Sequence, residues 1–100
     1  MWLRLRQICL VAQELEPVEK QLNEVLGIDV CFRDPGVGNF GLENALFPIG
    51  NQLLEVVAPV EESTAGGRYL EKRGGDGGYM VITQCDDHLP RRARIEELGV

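Results

Sequence analysis

The sequence has 100 residues, a hydrophobic fraction of 44%, a charged fraction of 26% and a formal net charge of −6 at pH 7. The length fits one small domain, and the acidic balance argues against a general nucleic-acid binder, which needs a basic face. The three cysteines are odd in number and lack paired spacing, which favours a reducing, cytoplasmic compartment without a disulfide framework. The apolar stretch near the N-terminus is broken at Gln13 and Glu14 and is too short to span a membrane.

Apolar periodicity in the first sixty residues predicts a strand, a helix and three further strands. The helix has Glu16 as its cap and Pro17 in its first turn, and it stops at Gly27. The glycine-rich segment that follows contains a literal G-x-G-x-x-G, but no helix opens at its third glycine. We therefore interpret this segment as a turn and reject a dinucleotide site. The predicted elements are a strand at 3–12, a helix at 16–26 and strands at 28–33, 42–49 and 51–58.

The rest of the chain is predicted to begin the same unit again. At a shift of 72 residues, Gln7-Ile8-Cys9-Leu10 lies over Tyr79-Met80-Val81-Ile82, and Leu26-Gly27-Ile28 lies over Leu98-Gly99-Val100. The chain is then either a short natural protein or a fragment of one with two complete modules. The predicted organisation is a complete module at 1–60, a crossing helix and glycine-rich hinge at 61–78, and the first strand and helix of an incomplete second module at 79–100.

Two polar residues interrupt otherwise apolar strand faces. Glu55 shares a face with Leu53 and Val57, because residues two apart in a strand point the same way. Gln7 interrupts the first strand in the same manner. A lone carboxylate on such a face is costly unless it is paired, ligated or protonated, which makes Glu55 the first candidate for chemistry. The alternative is that this face is open to water or that Glu55 pairs with an arginine.

These patterns resemble the glyoxalase/bleomycin-resistance family, also called the vicinal-oxygen-chelate superfamily. The residues that carry the resemblance are 6–12 in the first strand, Leu26-Gly27-Ile28 after the first helix, and 53–59 in the fourth strand. The second-copy strand resembles the family at Tyr79-Met80-Val81-Ile82. The resemblance implies an α+β fold in which paired βαβββ modules form a curved mixed sheet around a cavity.

The resemblance also implies a set of site residues. Members of the family often hold a divalent metal ion through ligands on the first and fourth strands of each module. These positions fall on Gln7 and Glu55, and the equivalent first-strand position of the second module falls on Tyr79. Neutral tyrosine is a poor ligand where the family usually has histidine. One expectation is a Zn, Ni, Mn or Fe ion held by Gln7 and Glu55; the other is a metal-free pocket in which Gln7, Glu55 and Tyr79 bind a polar ligand.

Two functions remain open at this point. The first is a metal-dependent lyase, isomerase, epimerase or dioxygenase acting on a substrate with adjacent oxygens, with Glu55 as metal ligand or proton carrier. The second is a metal-free module that binds or sequesters a small, partly apolar molecule. Both need a closed cavity, and one module gives an open half-sheet. We therefore expect a homodimer with facing modules or an exchanged 79–100 arm. The expected partner is a small molecule, with neither nucleic acid nor membrane.

Overall fold

A computed structural model describes residues 1–100 and contains four strands, three α-helices and one 3-10 helix. None of the helices has the length and apolarity needed to cross a membrane. The elements in chain order are β1 (Leu3–Val11), α1 (Leu15–Leu26), the 3-10 helix (Pro35–Phe40), β2 (Leu42–Ile49), β3 (Gln52–Pro59), α2 (Ala65–Arg73), β4 (Gly77–Cys85) and α3 (Leu89–Glu97).

The four strands form one mixed sheet in the order β2-β3-β1-β4. β1 runs parallel to β3 and antiparallel to β4, and β2 and β3 form an antiparallel hairpin. The parallel pair requires a crossover connection, which α1 and the following segment supply. The predicted α+β class with a mixed sheet is confirmed. The two strands that carry Gln7 and Glu55 are direct neighbours at the centre of the sheet.

Helices cover both faces of this sheet. On one face, which we call the helix face, α1 places Leu15 against four buried strand residues: Ala45, Phe47, Val56 and Ala58. Gly27 ends α1 in the left-handed conformation with φ +66°, as its position after the apolar stripe predicts. On the opposite face, Leu70 of α2 packs against Cys9, Val11 and Val57. Thr64 caps α2, and its hydroxyl accepts a hydrogen bond from the amide of Gly67.

The predicted strand at 28–33 is wrong in extent, because the structure keeps only one β-bridge, between Phe32 and Leu46. Just beyond this bridge, the amide of Asp34 donates to the side chain of Asn44 instead of to a backbone carbonyl. Arg33 likewise turns its guanidinium toward Glu19 of α1. A β-ladder cannot extend through a residue whose backbone amide donates to a side chain. The outer edge of β2 is therefore paired only at this one bridge.

The strand and helix that begin the second predicted module, β4 and α3, are only partly packed. β4 pairs along β1 with two register shifts, so the predicted strand is confirmed and extends back to Gly77. α3 follows at the predicted place but buries none of its residues. Its large apolar side chains therefore remain in contact with solvent; among them Leu89 is 63% exposed and Leu98, just after the helix, is 67% exposed.

Candidate functional site

Three polar side chains meet on the sheet face opposite α1, which we call the Glu55 face. The Glu55 carboxylate accepts a hydrogen bond from Gln7 Nε2 at 2.7 Å through Oε1, and another from Asn44 Nδ2 at 2.7 Å through Oε2. Glu55 is 6% exposed and Asn44 is 4% exposed, while Gln7 is half-buried. The structure therefore brings Gln7 and Glu55 together, and it adds Asn44, which the sequence did not single out.

The register of the sheet explains this convergence. Glu55 on β3 lies opposite Cys9 on β1 and opposite Leu46 on β2. Gln7 and Asn44 are each two residues from those partners, so they share the face of Glu55 and lie diagonal to it on either side. Each is long enough to reach one carboxylate oxygen. The alternative interpretations of Glu55, an open face or an arginine partner, are both wrong, since the carboxylate is buried and its partners are amides.

Asn44 is held in one orientation. Its Oδ1 accepts a hydrogen bond of 2.8 Å from the backbone amide of Asp34, which can only donate. The Asn44 amide nitrogen must therefore point at Glu55. Gln7 has no such restraint, because its Oε1 accepts no hydrogen bond within the chain. The site thus has one fixed amide donor and one that is free to rotate.

Cys9 lies directly against this site and is fully buried. Burial, together with the neighbouring negative charge of Glu55, raises the pKa of its thiol from 9.0 to about 12. The thiolate is the reactive form of cysteine, so this environment keeps Cys9 inert and excludes it as a nucleophile at neutral pH.

The raised pKa of Cys9 predicts a loss of stability at alkaline pH. In the unfolded chain the thiol loses its proton near its ordinary pKa, whereas the folded chain keeps it until about pH 12. Raising the pH above 9 therefore favours the unfolded state, by at most about 1.4 kcal/mol per pH unit. Urea unfolding of the wild type and of Cys9→Ala, between about pH 8 and pH 11, measures this contribution. We expect the free energy of unfolding to fall more steeply with pH in the wild type than in Cys9→Ala. An equal fall in the two proteins would contradict the raised pKa of Cys9.

Tyr79 lies on the same face but away from the carboxylate. It is the extra residue where the register steps from Met80 opposite Cys9 to Gly78 opposite Leu10. Its ring packs against the Cys9 cluster and lies with its centroid 5.0 Å from that of Tyr69. No hydrogen bond joins Tyr79 to Gln7 or Glu55. The structure therefore places Tyr79 in the apolar border of the Glu55 face.

The donor set does not fit a divalent metal ion in this arrangement. Both carboxylate oxygens of Glu55 already accept amide hydrogens, and the fixed Asn44 turns its nitrogen toward the site. The only anionic donor is Glu55, whereas a catalytic zinc site usually has three protein ligands. Nowhere in the chain do three His, Cys, Asp or Glu side chains come together in a metal-binding group.

The helix face of the sheet has a depression of its own. A depression of about 620 Å³ lies on the helix face between α1 and the 28–33 segment, and it is lined in part by Leu15, Glu19 and Arg33. Arg33 pairs there with Glu19, so this depression already contains a satisfied ion pair. On the Glu55 face, Leu70 of α2 covers part of the sheet, and the polar centre at Glu55 is buried.

Comparison with solved structures finds proteins of the same architecture. The chain superimposes on a hypothetical protein from Bacillus halodurans C-125 with a TM-score of 0.89 and 19% identity, covering 100% of this chain and 71% of that one. It superimposes on a variant of Streptomyces coelicolor methylmalonyl-CoA epimerase, in complex with 2-nitronate-propionyl-CoA, with a TM-score of 0.86 and 22% identity, covering 97% and 70%. The chain has the fold of these epimerases.

A third structure, methylmalonyl-CoA epimerase from Mycobacterium tuberculosis, gives a TM-score of 0.83 at 20% identity, with 96% of this chain and 64% of that chain covered. No protein-family model and no curated protein matches the chain. The glyoxalase-like fold predicted from the sequence is thereby confirmed. At this level of identity the likeness concerns the fold, and function has to be argued from the site.

Proposed function

We propose that the chain is a glyoxalase-like binding domain whose Glu55 face takes a small, partly apolar molecule that donates hydrogen bonds, without a metal ion. The observation that supports this most directly is the Glu55 carboxylate, buried and held by two amide donors at 2.7 Å. A carboxylate has about four lone-pair positions, so two remain for a ligand. The free Oε1 of Gln7 adds a further acceptor beside them.

Charge limits the class of ligand. Glu55 is the only formal charge in the site, and no lysine or arginine pairs with it. An anionic ligand would approach an uncompensated carboxylate, whereas an ammonium or amide group would gain a charge-assisted hydrogen bond. The apolar part of the ligand has matching surface in three half-buried residues that border the same face: Leu42, Tyr79 and Ile82.

A matched series of ligands tests this proposal. Hexylamine, hexanamide and hexanoate share one apolar chain and differ in the polar group. Titration into isotope-labelled protein, followed by NMR of the side-chain amide signals of Gln7 and Asn44, reports on the site itself. We expect hexylamine and hexanamide to shift these signals and hexanoate to leave them unchanged. Preferential binding of hexanoate, or hexylamine binding that is as tight in Glu55→Gln as in the wild type, would overturn the proposal.

The metal ion implied by the family resemblance has its own test. Binding it would require Gln7 and Asn44 to turn their oxygens inward, and for Asn44 this would break the bond from the Asp34 amide. We therefore expect purified protein incubated with nickel, zinc, manganese or iron salts to retain only substoichiometric metal after dialysis. Elemental analysis measures this directly, with Glu55→Ala as the control. Stoichiometric uptake that is lost in Glu55→Ala would favour the metal-dependent enzyme instead.

A second candidate function is an isomerase, favoured by the likeness to methylmalonyl-CoA epimerases. Epimerisation removes and returns a proton at one carbon, and Glu55 is the side chain at the centre of this face that is able to carry it. Incubation of the protein with methylmalonyl-CoA in D₂O, followed by mass spectrometry, separates the candidates. Deuterium incorporation that disappears in Glu55→Gln would establish the isomerase, and the binding domain is expected to show none.

A further inference from the structure

Two arginines of β1 line one depression beside the β2–β3 hairpin. Arg4 and Arg6 both border this depression, which has a volume of about 460 Å³ and lies where the hairpin turns. Its other lining residues all belong to the hairpin: Pro48, Gly50, Asn51, Gln52 and Leu53. No acidic side chain is among them, although the chain as a whole has a net charge of −6. The depression is therefore a positive region on an acidic protein.

A β-bulge directs Arg6 toward the hairpin. The register of β1 against β4 shifts between Leu5 and Gln7, so Arg6 is the extra residue of β1 at this point. A bulge bends its strand and turns the side chain of the inserted residue away from the regular direction. The guanidinium of Arg6 reaches the turn, where its Nη1 donates to the backbone oxygen of Asn51 at 3.0 Å. The bulge and this bond together hold Arg6 beside the hairpin.

Both guanidiniums are oriented by neutral acceptors, so neither positive charge is compensated by its partner. Arg4 donates from Nε and Nη2 to Gln84 Oε1, at 2.9 and 2.6 Å. Arg6 donates to the carbonyl of Asn51 alone. Neither arginine takes part in the ion pairs of the chain. Most of the N–H donors of both guanidiniums therefore remain available to a ligand.

We propose that this depression binds the phosphate group of a small phosphate monoester, with Arg4 and Arg6 as its cationic donors. A guanidinium presents paired N–H donors that match phosphate oxygens, and such charge-assisted bonds are about twice as strong as neutral ones. A phosphate dianion gains more from two nearby positive charges than a singly charged carboxylate does. The exposed side chains of Asn51 and Gln52 carry amide donors at the same depression.

The two candidate sites differ in the charge that they prefer. Leu53, which lines the depression, is two residues from Glu55 on β3, about 7 Å along the strand. Glu55 attracts ligands that donate hydrogen bonds, whereas the arginines attract anions. The proposal for the arginines therefore does not rest on the function proposed for Glu55.

NMR titration tests the phosphate site. Isotope-labelled protein is titrated with inorganic phosphate and with hexyl phosphate at constant ionic strength and about pH 7.5, where the phosphate carries close to two negative charges. We expect the side-chain Nε–Hε signals of Arg4 and Arg6 to shift and saturate with both probes. Arg4→Gln and Arg6→Gln should each weaken binding by about tenfold or more, because each removes a charged donor. Arg6→Lys keeps the charge and should weaken binding less than Arg6→Gln. Circular dichroism checks that the variants are folded.

Arg68→Gln is the matched control. Arg68 is an exposed arginine of α2 that forms no ion pair, donates to one backbone carbonyl, that of Ser63, and does not line the depression. Its substitution should leave phosphate affinity unchanged. Failure of inorganic phosphate to give saturable shifts, or affinity that is unaltered in both Arg4→Gln and Arg6→Gln, would overturn the proposal. The Glu55 site is read out separately at Gln7 and Asn44, so the two proposals fail independently.

Discussion

Asn44→Asp is expected to lower the free energy of unfolding by about 3–5 kcal/mol at neutral pH, the usual cost of leaving a buried charge without its partner. The substitution keeps the shape of the side chain but replaces the amide that donates to Glu55 Oε2 at 2.7 Å with a second carboxylate. Asn44 is 4% exposed, so water cannot screen the repulsion. The Asp34 amide prevents the new side chain from turning away, because it holds the other oxygen.

Urea unfolding at neutral pH measures this loss, with Asn39→Asp as the control. Asn39 is exposed in the 3-10 helix, and its side chain makes no hydrogen bond, so the same charge change there should cost little. The deficit of Asn44→Asp should shrink as the pH is lowered, since one of two touching carboxylates then takes up a proton. Equal stability of the two variants would show that the amide does not support Glu55.

Glu55→Gln is expected to separate folding from binding. The new amide gives one oxygen to Asn44, which is fixed, and turns its nitrogen toward Gln7, which is free to rotate and offer Oε1. All hydrogen bonds are then restored, so we expect a stability loss of about 1 kcal/mol or less. The charge is lost, however, and with it the charge-assisted bond to the ligand. Binding of hexylamine should weaken by about tenfold or more.

Denaturation and NMR titration measure the two effects on the same variant. Glu43→Gln serves as the matched control, because Glu43 is the exposed neighbour of Asn44 on β2 and points to the other face of the sheet. It should alter neither stability nor binding appreciably. If Glu55→Gln unfolds the chain while Glu43→Gln does not, the rotation inferred for Gln7 does not occur, and the carboxylate is needed for the fold itself.

Much of the fold follows from local sequence pattern. The apolar periodicity of α1, its stop at Gly27 and the alternation in β3 are local signals, and each predicted element except the strand at 28–33 has its counterpart within a few residues. The convergence of Gln7 and Glu55 was also predictable in outline, because both interrupt apolar strand faces. What strand alternation alone does not give is the order of strands, which depends on the parallel pairing of β1 with β3 over a long connection.

Asn44 shows where local pattern stops being informative. Glu43 and Asn44 are adjacent polar residues, and alternation requires one of them to point inward without saying which. The choice is made by register, which places Asn44 opposite Val57 and diagonal to Glu55. The shortened 28–33 strand has the same origin, since the Asn44 side chain competes for the Asp34 amide. Whether Glu55 anchors a ligand or carries a proton depends on the ligand, and strand pattern carries no information about that ligand.

The bond from the Asp34 amide to Asn44 makes the loop between α1 and β2 part of the environment of the buried acid. A peptide dipole, a carboxamide dipole and the carboxylate lie in series, and each polarises the next in a medium of low dielectric constant. The loop thereby does for Glu55 what a hydration shell does for a carboxylate in water. Its atoms, unlike water molecules, cannot exchange or reorient, so the polar groups that stabilise the Glu55 charge are already oriented before a ligand binds.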